Sequence, residues 1–309
     1  SVKSLNVGKN KLSDLPVAVF SLKNLEVLNC SENFLSELPS NVACFAALTE
    51  LDLNDNKIKT LPEDIGRFFP RLRKLLMYQN EITSLPASLG DLQELEELNV
   101  FNNKLIKIPG CVGTLSSLIE LNVASNKLKT LPSLDGLTNL QRLAAFDNNI
   151  VLLPTLEKLS KIKKLELYRN QLDSLPQLAD YEDLEEINVS RNRLTSFPEN
   201  LEKWGNLQIF EASNNRLEAL PPRLGGLTQL WKVMLGQNSL CNLPGELFDV
   251  SIKTLDISKN NFTQVPDEMS KLTSLTILTL SDNQIKSIPS FLVDQLTSIR
   301  RLAIEGNPI

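Results

Sequence analysis

The stretch LRKLLMYQNEITSLP, Leu72 to Pro86, decides how the chain folds. Counting Leu72 as slot 1, apolar residues fall at slots 1, 4, 6, 11 and 14: Leu72, Leu75, Met77, Ile82 and Leu85. Asn80 holds slot 9 and Pro86 slot 15. Slots 4 and 6 alternate with slots 3, 5 and 7, the period-2 pattern of a short half-buried strand. Two residues break the expected polarity. Leu76 and Tyr78, at slots 5 and 7, stand where most other copies of the phrase carry Asn, Asp, Ser or Gly.

The same phrase, L-x-x-L-x-L-x-x-N-x-L-x-x-L-P, recurs fourteen times, with Leu, Ile, Val and Phe exchanging at the apolar slots. Its asparagine is invariant from Asn10 to Asn307, at intervals of 22 to 24 residues. Thirteen copies reach the slot-15 proline, from Pro16 to Pro289. This is the signature of a leucine-rich repeat. One repeat cannot bury its own apolar face, whereas a stack can. The predicted fold is an α/β solenoid, a horseshoe of fourteen repeats. A parallel β-sheet lines its concave face, and irregular or short helical segments form its convex face. Slots 1, 4, 6, 11 and 14 point inward, and later residues such as Ile65 and Phe68 close the coil. The slot-9 amides are expected to satisfy backbone groups of their own and the neighbouring turn, because a buried amide needs partners for its donors and its acceptor. The slot-15 proline, with its fixed φ, starts the return segment.

Residues 1–309 read as a single domain. Val2, Leu5 and Val7 begin a core strand almost at once, and Ile304 and Ile309 complete only the start of a turn, so the expectation is a segment of a longer chain. Composition is ordinary for a soluble protein: 42% hydrophobic, 22% charged, net charge −5. That balance argues against nucleic-acid binding. No apolar run is long enough for a membrane span. Cys30, Cys44, Cys111 and Cys241 are far apart, with spacings that fit neither a disulfide framework nor a zinc site. Two of the three Asn-x-Ser/Thr sequons, at Asn29 and Asn188, fall on the predicted inner face, where a glycan would obstruct it; the third is at Asn261. These points favour a cytoplasmic location. The chain has no histidine, which removes imidazole bases, Ser-His-Asp triads and HExxH metal motifs. The pairs Glu96-Glu97 and Glu185-Glu186 place adjacent carboxylates on opposite strand faces. No catalytic, metal or cofactor site is expected.

What remains is the inner face. Four of the fourteen slot-7 residues are aromatic and fall in repeats four to eight: Tyr78, Phe101, Phe146 and Tyr168. Leu76 and Ala144 add apolar character at slot 5. The row spans roughly 19 Å at the usual strand spacing. Lys74, Arg142, Lys164 and Arg169 surround it, with Glu97, Glu120 and Glu166 opposite in sign. An apolar centre with a polar rim is the anatomy of a protein interface. The competing reading has the rings pack laterally and stiffen the stack. A second cluster, Ile209, Trp231, Met234 and Ile277, lies in repeats ten, eleven and thirteen, and Trp231 there either faces solvent or covers core. Trp204 occupies a core position. Arg169, Arg191, Arg193 and Arg216 form a basic strip along one edge, either a solvated border or a means of steering an acidic partner.

The segments LPEDIGRFF, LPASLGDLQEL and IPGCVGTLSSL resemble the intracellular Ras-group of leucine-rich-repeat proteins. That resemblance implies a cytosolic, non-catalytic scaffold that binds a partner protein on its concave face, with a Ras-family GTPase or a protein phosphatase as the partner class. Similar arrays also sit beside cyclase, kinase, GTPase and ubiquitin-ligase domains, which keeps a regulatory module of a larger enzyme open. An extracellular recognition domain is the third reading.

Overall fold

The computed structural model describes residues 2–38, 45–178, 180–199 and 201–309; Cys44 lies outside them. Contacts divide the chain into two compact units, Ser1–Leu159 and Ser160–Ile309. The first contains strands β1 (Ser4–Asn6), β2 (Val27–Asn29), β3 (Glu50–Asp52), β4 (Lys74–Leu76), β5 (Glu97–Asn99), β6 (Glu120–Asn122) and β7 (Arg142–Ala144). The second contains β8 (Lys164–Glu166), β9 (Glu186–Asn188), β10 (Ile209–Glu211), β11 (Lys232–Met234), β12 (Thr254–Asp256), β13 (Ile277–Thr279) and β14 (Arg301–Ala303). Within each unit every strand pairs in parallel with its sequence neighbours, and the register is slot on slot: Leu28, Leu51, Leu75 and Leu98 align. The three-residue strands are slots 3, 4 and 5 of the phrase.

The period-2 pattern explains the burial. In the opening stretch Leu72, Leu75, Met77, Ile82 and Leu85 are all buried, as the five apolar slots require. Burying a side chain of this class stabilises by roughly 1.5–3 kcal/mol, which a lone repeat could not realise. The ladder continues past the strands by backbone bonds, such as Leu53 N–H to Leu76 O at 2.8 Å and Asp55 N–H to Tyr78 O at 2.9 Å. At slot 8 the chain then turns through the left-handed region in every repeat, from Lys9 at φ 57° to Asp282 at 56° and Gly306 at 73°.

The slot-9 asparagines do what their burial demands. Asn103 Nδ2 donates to the carbonyls of Met77 (2.9 Å), Val100 (3.1 Å) and Phe101 (3.3 Å). Its Oδ1 accepts from Ile82 N–H at 2.9 Å. One amide thus ties together two successive turns. The slot-15 prolines open the return segments: Pro86, Pro109, Pro244 and Pro266 each precede a short 3-10 helix, and the Pro86 carbonyl accepts from Leu89 N–H at 3.2 Å. The glycine of the Ile-Gly element is a packing requirement. A Cβ on Gly66 would lie 2.0 Å from Ser88 O, and one on Gly113 would lie 2.0 Å from Ser133 O, so adjacent returns approach too closely for any side chain. Ile65 closes the coil as expected, but Phe69 rather than Phe68 is the buried ring of that return, stacked on Phe45 at 5.9 Å between centroids. The extra residues at Phe69-Pro70 shift the inward position by one. The longer return near the end forms a single helical turn, Phe291–Asp294.

Candidate recognition face

The slot-7 rings emerge from the sheet face just after their strands, and their backbone is fixed by slot 5. Where slot 5 is Asn or Asp, its side-chain oxygen accepts the slot-7 N–H: Asn99 takes that of Phe101 (3.0 Å), Asn122 that of Ala124 (3.1 Å) and Asp52 that of Asn54 (3.0 Å). Leu76 offers no acceptor. Tyr78 N–H turns instead to Asn54 Oδ1 of the preceding repeat, at 2.8 Å. Asn54 is buried and bridges the two turns. The apolar residue at slot 5 is tolerated because slot 7 of the previous repeat supplies the missing acceptor. Sequence reading overlooked this role for slot 5, although seven of the fourteen copies carry Asn or Asp there. It likewise overlooked the left-handed slot 8, whose signal is the absence of β-branched residues and proline in all fourteen copies.

In the first unit Tyr78, Phe101 and Phe146 are each half-buried. Phe101 and Phe146 lie two repeats apart, yet their ring centroids are 6.0 Å apart with planes inclined at 48°. Ala124, the slot-7 residue between them, is buried, and its small side chain leaves the gap across which the rings meet. Phe101 and Phe146 therefore pack laterally, and each ring keeps an exposed portion. Leu76 is half-buried, while Ala144 is fully buried and contributes support rather than contact area. The cations of the rim are tied to carboxylates of adjoining strands, Lys74 to Glu97 at 3.4 Å and Arg142 to Glu120. On the side of the earlier repeats the face is acidic. Burial raises the Tyr78 phenol above its ordinary range, and Asp55, Asp52 and Glu32 raise it further. Burial also raises the Asp52 carboxyl, opposed by the Asn54 N–H and reinforced by Glu50, Asp55 and Glu32.

In the second unit Tyr168 is half-buried, Arg169 is exposed, and Lys164 pairs with Glu186 at 3.2 Å. Trp204 is buried and stacks on Tyr181 at 6.1 Å, as a core residue should. Trp231 is 36% exposed at the strand edge, and Met234 is half-buried. The second apolar cluster is not continuous. In register, Ile209 adjoins Lys232, which adjoins Thr254, which adjoins Ile277. Met234 lies between Glu211 and Asp256. Lys232 is ion-paired to Glu211. Parallel register thus sets Lys232 and Thr254 between Ile209 and Ile277, and Met234 between two acidic residues. Among the described residues no cluster of three or more His, Cys, Asp or Glu could hold a metal ion, and no helix is long and apolar enough to cross a membrane.

Parallel three-residue strands in slot register, an asparagine ladder and proline-initiated returns define a solenoid that presents a sheet face. The leucine-rich-repeat family model matches residues 1–58, 46–105 and 250–309, and a second leucine-rich-repeat model matches 183–204. The chain belongs to the leucine-rich-repeat family. It is 31% identical to a leucine-rich-repeat protein of Leptospira interrogans, with a TM-score of 0.89, covering 99% of this chain and 79% of that one. Over 105 residues it is 37% identical to an adenylate cyclase of Podospora anserina, a match covering 33% of this chain and 5% of the cyclase. The Arabidopsis receptor kinase HAESA, solved with a peptide hormone and a co-receptor, aligns at 25% identity and TM-score 0.75 over 99% of this chain and 58% of that one.

Proposed function

We propose that the chain is a non-catalytic recognition module that binds a partner protein on its sheet face, with Tyr78, Phe101 and Phe146 as the anchors of the first unit. The observation that carries this is the pair of half-buried rings meeting over Ala124, framed by ion-paired Lys74 and Arg142. Rings already held against each other lose little conformational freedom on binding, and aromatic anchors with a polar rim dominate interface energetics. Tyr168 offers the same chemistry from slot 7 of the second unit. An intracellular partner fits best. The sequon amides of Asn29 and Asn188 are engaged on the sheet face, donating to Asp52 at 3.0 Å and Glu211 at 2.7 Å, so a glycan on either nitrogen would crowd the carboxylate it already contacts. By the Ras-group resemblance the partner is a Ras-family GTPase or a protein phosphatase.

The test is a Tyr78→Ala/Phe101→Ala/Phe146→Ala variant. Its circular dichroism should match the wild type, while its affinity for the partner falls at least roughly tenfold. Unchanged affinity in a folded variant would refute the anchor assignment. The cyclase match favours a second reading, a regulatory module of a larger enzyme. It is checked by whether the parent gene joins this segment to a catalytic domain.

A further inference from the structure

After the slot-8 turn the chain leaves the sheet face, and slots 10 to 13 form a lateral flank. In repeats three to seven, within the first unit, this flank carries Lys57, Lys59, Lys104, Lys107, Lys127 and Lys129 against one acid, Glu81, a net charge of +5. All six lysines are exposed. Because the whole chain is −5, the remaining residues sum to −10. The same slots of repeats eight to thirteen hold Arg193, Arg216 and Lys286 against Asp173 and Glu218, only +1. Concentration of charge, not the mere presence of unpaired lysines, sets the first flank apart. Glu81 does little to offset it. Lys104 binds that carboxylate at 2.8 Å and holds its carboxyl below the ordinary range, with Lys59 and Lys57 adding to the effect.

The same flank exposes aliphatic side chains. Ile106, at slot 12 of repeat five, is 64% exposed; Val151 and Leu152, at slots 12 and 13 of repeat seven, are 45% and 66% exposed. No other copy of the phrase puts a large apolar residue at slot 12 or 13. Backbone bonds hold these positions side by side. The slot-10 N–H donates to the slot-11 carbonyl of the preceding repeat, Lys104 to Ile82 and Lys127 to Leu105, both at 2.9 Å. Val151 N–H reaches Lys129 O at 3.2 Å, and Thr130 and Leu152 form a parallel bridge. Lysines and aliphatic chains therefore share one firm strip. Protein interfaces favour aromatic, Met and Arg side chains and are poor in Lys. Nucleic acids are held by Arg forks and stacking rings. This strip has no arginine and no aromatic residue. Diffuse attraction by lysines, with aliphatic chains projecting between them, matches a layer of anionic headgroups over hydrocarbon.

We infer that this flank docks the protein peripherally on a bilayer containing anionic lipid, with the lysines facing the headgroups and Ile106, Val151 and Leu152 entering the interface. The inference does not rest on the aromatic anchors, which lie on the sheet face. It is tested by cosedimentation of the whole chain with vesicles. Phosphatidylcholine vesicles containing about 30% phosphatidylserine should capture the protein, and phosphatidylcholine alone should not. Capture should fall as salt rises. Lys59→Gln/Lys107→Gln/Lys129→Gln should weaken it at least roughly tenfold, three attractive charges being removed. Ile106→Ser/Leu152→Ser should weaken it several-fold with the same salt dependence, because only apolar insertion is lost. All five changed residues are exposed, and unaltered circular dichroism spectra confirm that both variants fold. Tyr78→Ala/Phe101→Ala/Phe146→Ala should bind vesicles as the wild type does, which separates this surface from the other. No capture by the anionic vesicles, equal capture by phosphatidylcholine alone, or undiminished capture of either the lysine or the aliphatic variant would each overturn the proposal. So would tighter binding to polyuridylate RNA or to polyglutamate than to the vesicles at equal anionic charge.

Discussion

At the scale of single residues, the sheet face is governed by how each polar side chain is satisfied. The slot-9 asparagines are legible because an amide recurring at fixed spacing beside buried leucines must be paired. Asp52 is a subtler case. Its carboxylate caps Asn54 N–H and accepts from Asn29 Nδ2, yet burial and three neighbouring acids raise it above its ordinary value of 3.8. A carboxyl raised by folding binds more protons folded than unfolded just above that value. Its charge therefore opposes folding, and the stability it contributes falls as pH rises from about 4 through the shifted range, staying constant above it. Urea unfolding of wild type and Asp52→Asn across this range should show the wild type losing stability relative to the variant as pH increases. A difference that stays level with pH would show that the site is not strained by its charge.

Between neighbouring repeats, hydrogen bonds explain the departures from pattern. Leu76 replaces a capping amide, and Asn54 of the adjacent repeat covers the deficit through the Tyr78 N–H. Asn54→Ala should destabilise by roughly 1–2 kcal/mol, since a backbone donor loses its partner. Leu76→Asn in that background restores the local acceptor used elsewhere, as at Asn99, and should recover most of the loss. A denaturation cycle of the four proteins measures this; additive effects would exclude the compensation. The aromatic row shows why the candidate site was only partly readable. Its residues were evident from slot position. The meeting of Phe101 and Phe146 depended on the size of Ala124 beneath them, and the polar neighbours of Ile209, Met234 and Ile277 depended on which residues parallel register interleaves.

For the molecule as a whole, hydrogen bonds such as those of Asn103 and Asn260 reach one turn away, over 26 and 25 residues of sequence. Stability in such an array is a sum of repeat and nearest-neighbour terms. Leu98→Ala, at a buried site of repeat five, should destabilise by about 3 kcal/mol locally. Hydrogen exchange should quicken in repeats four to six and stay at wild-type rates in repeats eleven to thirteen; uniform quickening would contradict local coupling. The sequence by itself determined the repeat, the strand slots, the buried positions, the asparagine ladder and the proline starts. Each of these follows from spacing and from the need to bury apolar groups and pair polar ones, and spacing is written in the chain. Only the tertiary structure decided which slot-7 rings touch, how Tyr78 N–H is satisfied and which cations, such as Lys74, Lys164 and Lys232, are neutralised by a neighbouring repeat. Those outcomes depend on the side chains of adjacent repeats, brought side by side by residues more than twenty positions apart, and no single copy of the phrase contains them.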